Sequence, residues 1–91
     1  MAKNNYMLIT VVERSICTEQ FPTFEQARAT MLKELGEDVM RHTDNTQNEW
    51  DEVCQQNLEY GTDEYEFGNS SAWSNLDDEN KKDWLIVGLD N

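Results

Sequence analysis

The sequence predicts an α+β domain, a small antiparallel sheet of four to five strands with two helices packed on one face, in the order ββααβββ. Three observations carry this expectation. Short runs rich in β-branched and aromatic residues open and close the chain. Between them lie two stretches with apolar residues at helical spacing, each behind a capping sequence. No repeat, low-complexity stretch or second core interrupts the 91 residues, so residues 1–91 read as one domain.

Tyr6–Val12 is apolar and β-branched and predicts a central strand. Ser15–Phe21 alternates less cleanly and can pair back on it as a hairpin. The turn near Glu13-Arg14-Ser15 holds no Gly or Asn, so its geometry is left open. Thr23 then caps a helix, with Gln26 three residues on as a capping box. Phe24, Ala27, Met31, Leu35 and Val39 form the apolar stripe of that helix, and Gly36 either ends it or weakens it.

Thr46 with Glu49 repeats the capping pattern and opens a second helix from about Gln47 to Glu59, with Gly61 as its stop. Trp50, Val53, Cys54 and Leu58 are its apolar face; Glu49, Glu52, Gln56 and Glu59 lie opposite. Tyr65–Phe67 reads as a strand, Gly68-Asn69-Ser70 as a turn, and Ala72–Asn75 as the returning strand. Asp77–Asp83 reads as a charged loop and Trp84–Val87 as the final strand. Residues 6–12 and 84–89 are expected to be buried strands of one sheet.

Charge is the most informative property. Nineteen acidic and seven basic residues leave a net charge of −12. Residues 1–41 carry five basic groups and six acidic ones, a net of −1. The 39 residues from His42 to Asn80 carry no Lys or Arg and eleven carboxylates. Such a balance repels DNA, RNA and anionic membranes and attracts cationic surfaces.

No stretch reaches the roughly 18 apolar residues of a membrane span, and no cleavage site follows Tyr6–Val12. The chain is read as cytoplasmic. There Cys17 and Cys54 are expected as reduced, buried thiols, the alternative being one disulfide between them.

Several chemistries lack their residues. A zinc site needs about four close ligands, and Cys17, His42 and Cys54 are far apart. Calcium loops starting at Asp44 or Asp77 lack the required Gly and Glu. His42, the one histidine, reads as a helix-end residue beside Thr43 and Asp44, where it favours the dipole. No phosphate-binding Gly-rich loop is present. No catalytic residue, metal, cofactor or enzymatic activity is expected.

The acidic segment has two readings. It is either a solvated face that maintains solubility, or a surface that imitates nucleic-acid charge and plugs a basic cleft. Exclusion of every cation favours the second, because a face made only for solubility usually mixes both signs. So do the aromatics interleaved with the acids: Trp50, Tyr60, Tyr65, Phe67 and Trp73. The expected partner-binding residues are Asp44, Glu49, Glu52 and Glu59; then Asp63, Glu64 and Glu66; then Asp77, Asp78 and Glu79; and Trp73, set among small polar neighbours. Trp73 is either core or, if exposed, a binding anchor.

In size, acidity and layout, across His42 to Asn80, the chain resembles the small inhibitor proteins of phages and mobile elements, notably anti-CRISPR and anti-restriction DNA mimics. Small acidic immunity proteins that neutralise toxin nucleases are similar for the same electrostatic reason. The resemblance implies an inhibitor that occupies the cationic groove of a basic, nucleic-acid-binding protein such as a defence nuclease. It implies no direct contact with nucleic acid or membrane. A different class stays open beside it: a structural or regulatory interaction domain of a mobile element whose acidity serves solubility only.

Overall fold

The computed structural model describes residues 4–77 and 80–89. Two strands, β1 (Tyr6–Val12) and β2 (Ser15–Phe21), are followed by two helices, α1 (Phe24–His42) and α2 (Gln47–Gln56). Four strands follow: β3 (Tyr60–Gly61), β4 (Tyr65–Phe67), β5 (Ser71–Ser74) and β6 (Lys82–Gly88). They form one antiparallel sheet in the order β2-β1-β6-β5-β4-β3. The sheet thus has six strands, not four to five. The extra one, β3, is Tyr60–Gly61, at the place where Gly61 was expected only as the stop of the second helix.

The first hairpin closes on Glu13-Arg14, with Val12 opposite Ser15. Glu13 has φ 57 and is the one non-glycine residue with positive φ among those described. Positive φ at the first central residue alone is the pattern of a type II′ turn, which matches the twist of paired strands. The chain then crosses the sheet through α1 and α2 to the far edge and returns by a meander to β6, which pairs with β1.

Thr23 caps α1 by accepting from the backbone N–H of Gln26 at 3.2 Å. Ala27, Met31, Leu35 and Val39 are fully buried on the expected stripe, and Phe24 is partly buried. Gly36 does not end α1. A Cβ placed there would collide with Nε1 and Cδ1 of Trp50 and lie 2.9 Å from its Cε2. The glycine is a seat for the indole, whose N–H donates to the Leu32 carbonyl at 3.0 Å.

In α2 both halves of the Thr46–Glu49 capping box form. The helix ends at Gln56 rather than Glu59. The side chain and backbone N–H of Asn57 both donate to the Val53 carbonyl, and Arg28 takes the Leu58 carbonyl at 2.8 Å. Leu58 therefore leaves the predicted apolar stripe and is 64% exposed. Gly61 is a strand residue rather than a helix stop.

The core lies between α1, α2 and one face of the sheet. Leu8, Trp84, Ile86, Ala72, Tyr65 and Phe67 point into it. β1 and β6 are strands of one sheet, as expected, and they pair with each other, but each is buried on one face only; Leu85, in β6, is 46% exposed. Nor are the cysteines buried. Cys54 is half-buried and Cys17 sits exposed on the edge strand, both as free thiols. Burial pushes the Cys54 thiol up to about 11.

Candidate functional site

The acidic residues are distributed by the elements that carry them. Asp44 is exposed in the link after α1. Glu49, Asp51 and Glu52 are exposed on α2, and each is held by a local hydrogen bond. Glu49 accepts from the Thr46 N–H, Asp51 from Gln47 Nε2 at 2.8 Å, and Glu52 from Gln56 Nε2 at 3.1 Å. Glu59 lies beyond the end of α2, so the expected three-glutamate helical stripe is reduced to Glu49 and Glu52.

Glu59 instead shares a groove with Glu66. The groove, of about 500 Å³, runs along the β3 edge and is also lined by Asn69 and Ser71. Asp63 and Glu64 project from a tight β3–β4 turn organised by Thr62. The Thr62 hydroxyl accepts from the N–H groups of Glu64 and Tyr65, and the Thr62 N–H donates to the Tyr65 carbonyl at 2.7 Å. Asp77 follows β5 and is bonded by Asn80. Asp78 and Glu79 lie outside the described residues.

None of the eight acids from Asp44 to Glu66 is ion-paired among the described residues; the two ion pairs found there both involve Asp38. Nor do three His, Cys, Asp or Glu side chains converge there as ligands would. No helix among the described residues is long and apolar enough to cross a membrane.

The aromatics divide differently from the expectation. Four of the five pack together beneath the acids. Trp50 meets Tyr65 and Phe67 edge to face at 5.9 and 5.7 Å, and Tyr60 lies 6.1 and 6.3 Å from the same two rings. The interleaving of acids and aromatics is therefore mostly strand alternation, as in Tyr65-Glu66-Phe67, with the rings inward and the carboxylate outward. Trp73 alone of the five points to the other face. It is half-buried, while Trp50 and Trp84 are each 3% exposed.

Charge is also asymmetric in space. The Glu13 N–H meets the Lys81 carbonyl, which sets Arg14 and Lys81 at the same corner. Arg41 and Lys82 line one cleft with Val12, whose strand ends at that corner, but Glu34, Glu37 and Asp38 line it too, so this end mixes both signs while the acidic segment holds no Lys or Arg. The acids bracket the opposite end, with α2 on one side of the sheet and Glu66 on the other.

Asp38 is the buried exception, 1% exposed and missed by the sequence reading. It accepts from Ser74 Oγ at 2.6 Å and Lys82 Nζ at 2.9 Å, with His42 Nδ1 3.9 Å away. Burial pushes its carboxyl up, but those two hydrogen bonds and the charges of Lys82 and His42 outweigh it, leaving the group below its ordinary value. His42 sits in the last turn of α1, where Nδ1 also lies 3.0 Å from the Asp38 carbonyl. This network ties α1 to β5 and β6 and lies apart from the acidic end. Comparison with known proteins finds no family model, no curated protein and no solved structure that matches the chain.

Proposed function

We propose that this protein binds and inhibits a basic, nucleic-acid-handling protein, such as a defence nuclease, by occupying its cationic groove. One observation carries the reading. Eight exposed carboxylates, from Asp44 to Glu66, are unpaired within a segment that holds no cation. They stand where phosphates would stand, and lysines and arginines of the partner supply the missing charge. Glu49 and Glu52 lie about one helical turn, roughly 5 Å, apart. Their hydrogen bonds within α2 lower the entropy lost on docking. The separation of a mixed-charge corner from the cation-free acidic segment would also orient the approach.

The test is association with a retained partner, captured from the native host, at about 0.1 and 1 M salt, where the screening length falls from about 10 to 3 Å. The on-rate is expected to fall steeply, and duplex DNA to compete for the same partner. The E49Q/E52Q/E59Q variant is expected to stay folded, since exposed charges contribute little to stability, and to associate more slowly at low salt. An on-rate indifferent to salt and to these substitutions overturns the proposal.

A second reading has its own support in the exposed apolar face of the sheet. An interaction domain of that kind would use acidity to stay dispersed rather than to inhibit, and duplex DNA would then not compete with its partner.

A further inference from the structure

Strand pairing places every outward side chain in rows. One row crosses the whole sheet on the face away from the helices: Gly61, Glu66, Trp73, Asp83, Val11, Ile16. The next row sets Leu85 beside Ile9, and a third sets Val87 beside Met7. No helix covers these positions. Ile16 is 70% exposed and Leu85 46%. Yet β1 and the end of β6 read as nearly continuous apolar runs, the pattern of strands buried on both faces. The apolar patch of Met7, Ile9, Val11, Ile16, Leu85 and Val87, half-buried to exposed and bordered by Asp83, marks an interaction site.

The chemistry of the row narrows what covers it. Trp73 stands between Glu66 and Asp83 on the neighbouring strands, in direct register with both. Adjacent strands are about 4.8 Å apart, so the two carboxylate-bearing positions lie roughly 10 Å apart with the indole midway. In the unbound chain the Glu66 side chain lies over Gly61, on the side away from Trp73, and it swings back to meet a group stacked on the indole. Trp50 and Trp84 donate their indole N–H groups to Leu32 and Glu34. No described atom accepts from the Trp73 indole. No strand residue on this face is a cation. Arg14 is in the turn, Arg28, Lys33 and Arg41 are on α1, Lys81 precedes β6, and Lys82 faces the core.

We infer that the open sheet face docks a protein segment that pairs apolar side chains with an arginine, the guanidinium lying on Trp73 between Glu66 and Asp83. Guanidinium stacking on an indole leaves its N–H groups free for flanking carboxylates, which the compact ammonium of lysine cannot match. The apolar half of the segment covers Ile9, Leu85, Val11 and Ile16, about 8–14 Å away by strand spacing and rise. A second copy of the chain fits poorly. It brings another −12 charge and, on the same described face, carboxylates without a cation to meet them. The inference rests on the proposed basic partner and assigns it a second contact, separate from the α2 acids.

The test is an NMR titration of the labelled full chain with synthetic peptides, following the three tryptophan indole N–H signals. The probes are a peptide alternating leucine and arginine, one alternating leucine and glutamine, and one with arginine but no leucine. The leucine–arginine peptide is expected to move the Trp73 indole and the amides of β1, β5 and β6, leaving Trp50 and Trp84 in place. Trp73→Ala, and separately E66Q/D83N, are each expected to weaken it about tenfold, in line with the loss of a desolvated cation–π contact and its flanking charges. E66Q/D83N alters exposed groups only, so unchanged Trp50 and Trp84 signals verify its fold.

Equal binding of the glutamine peptide, or of the leucine-free peptide, overturns the inference. So does a chain whose Trp73 signal is broadened by self-association without any peptide. If E49Q/E52Q/E59Q abolishes peptide binding while Trp73→Ala does not, this inference fails and the acidic-segment proposal stands. If Trp73→Ala abolishes it while partner association ignores salt and the α2 acids, the reverse holds.

Discussion

The two ends of the sheet are built by different means. β2, β1 and β6 have seven residues each and pair along their whole length. β5, β4 and β3 have four, three and two. The first end is held by its backbone ladder; the second, which carries the exposed acids, relies on side chains. Three of its anchors come from α1. Arg28 holds the carbonyls of Leu58 and Asn69, Gly36 seats Trp50, and Asp38 holds Ser74 and Lys82. The near-neutral first part of the chain thus supplies the scaffold on which the charged part is displayed. Carboxylates crowded at one end add repulsion, and a short ladder has little to set against it.

Gly36→Ala is expected to break that arrangement most severely. Alanine is the better helix former by about 1 kcal/mol. Against this, overpacking and the lost Trp50–Leu32 hydrogen bond together cost about 3–5 kcal/mol. A net loss of about 3 kcal/mol in urea unfolding is therefore expected. In a Trp50→Leu background the same substitution is expected to be neutral or stabilising. A loss undiminished there removes the indole-seat explanation.

Asp38→Asn comes next, at about 2–3 kcal/mol, because Lys82 is left with a poorer partner in a largely enclosed site. The pH dependence carries the sign. The native carboxyl lies below its ordinary 3.8, so its contribution is complete above that value and is lost as pH falls through the lower native one. The parent chain is expected to lose stability on that acid limb, and D38N to lack that part of the loss. Identical acid limbs in the two proteins would contradict the assignment.

Arg28→Met tests the weaker end alone. Its guanidinium lies 5.8 Å from the Phe67 ring centre besides bridging two carbonyls. Removing the bridge is expected to cost about 1.5 kcal/mol. Amide exchange should localise the loss. β3 and β4 amides are expected to exchange faster through local opening, and β1 and β6 amides to remain governed by global unfolding. Uniform acceleration over all strands would mean that the two ends do not differ in stability as described.

Much of this architecture was legible in the sequence, and the misses have physical causes. β1, β2 and both helix starts follow from β-branched runs and from Thr23 and Thr46, signals contained within a few residues. β3 was not legible because Tyr60-Gly61 is only two residues long, and the break before it is held by Arg28, distant in sequence, on the Leu58 carbonyl. Asp38 looks like any acid on a helix until Ser74 and Lys82 converge on it. The acidic segment was visible as composition, but which of its aromatics face outward depends on pairing that single-strand patterns do not specify. Two-sided apolarity in β1 was the available signal for the open face; it was read as burial, and only the sheet order reveals that one side lacks a cover.

The smallest expected effect concerns the ladder-held end and sharpens the contrast from the other side. Glu13 occupies the left-handed region at φ 57, which costs a side-chain-bearing residue roughly 1–2 kcal/mol and glycine nothing. Glycine gives back part of that through the greater freedom of its unfolded chain, about 0.5–1 kcal/mol. Glu13→Gly should therefore raise stability by about 0.5–1 kcal/mol, seen as a higher urea midpoint at unchanged slope. Arg14→Gly is the control. Arg14 is not at positive φ, so glycine there brings only the entropic loss and a lower midpoint. Because the turn closes the ladder shared by β1, β2 and β6, the gain in Glu13→Gly should appear in amides that exchange by global unfolding. The locally opening amides of β3 and β4 should not change. If those amides slow equally, the turn and the acidic end belong to one cooperative unit, and the division between a ladder-held and a side-chain-held end does not survive.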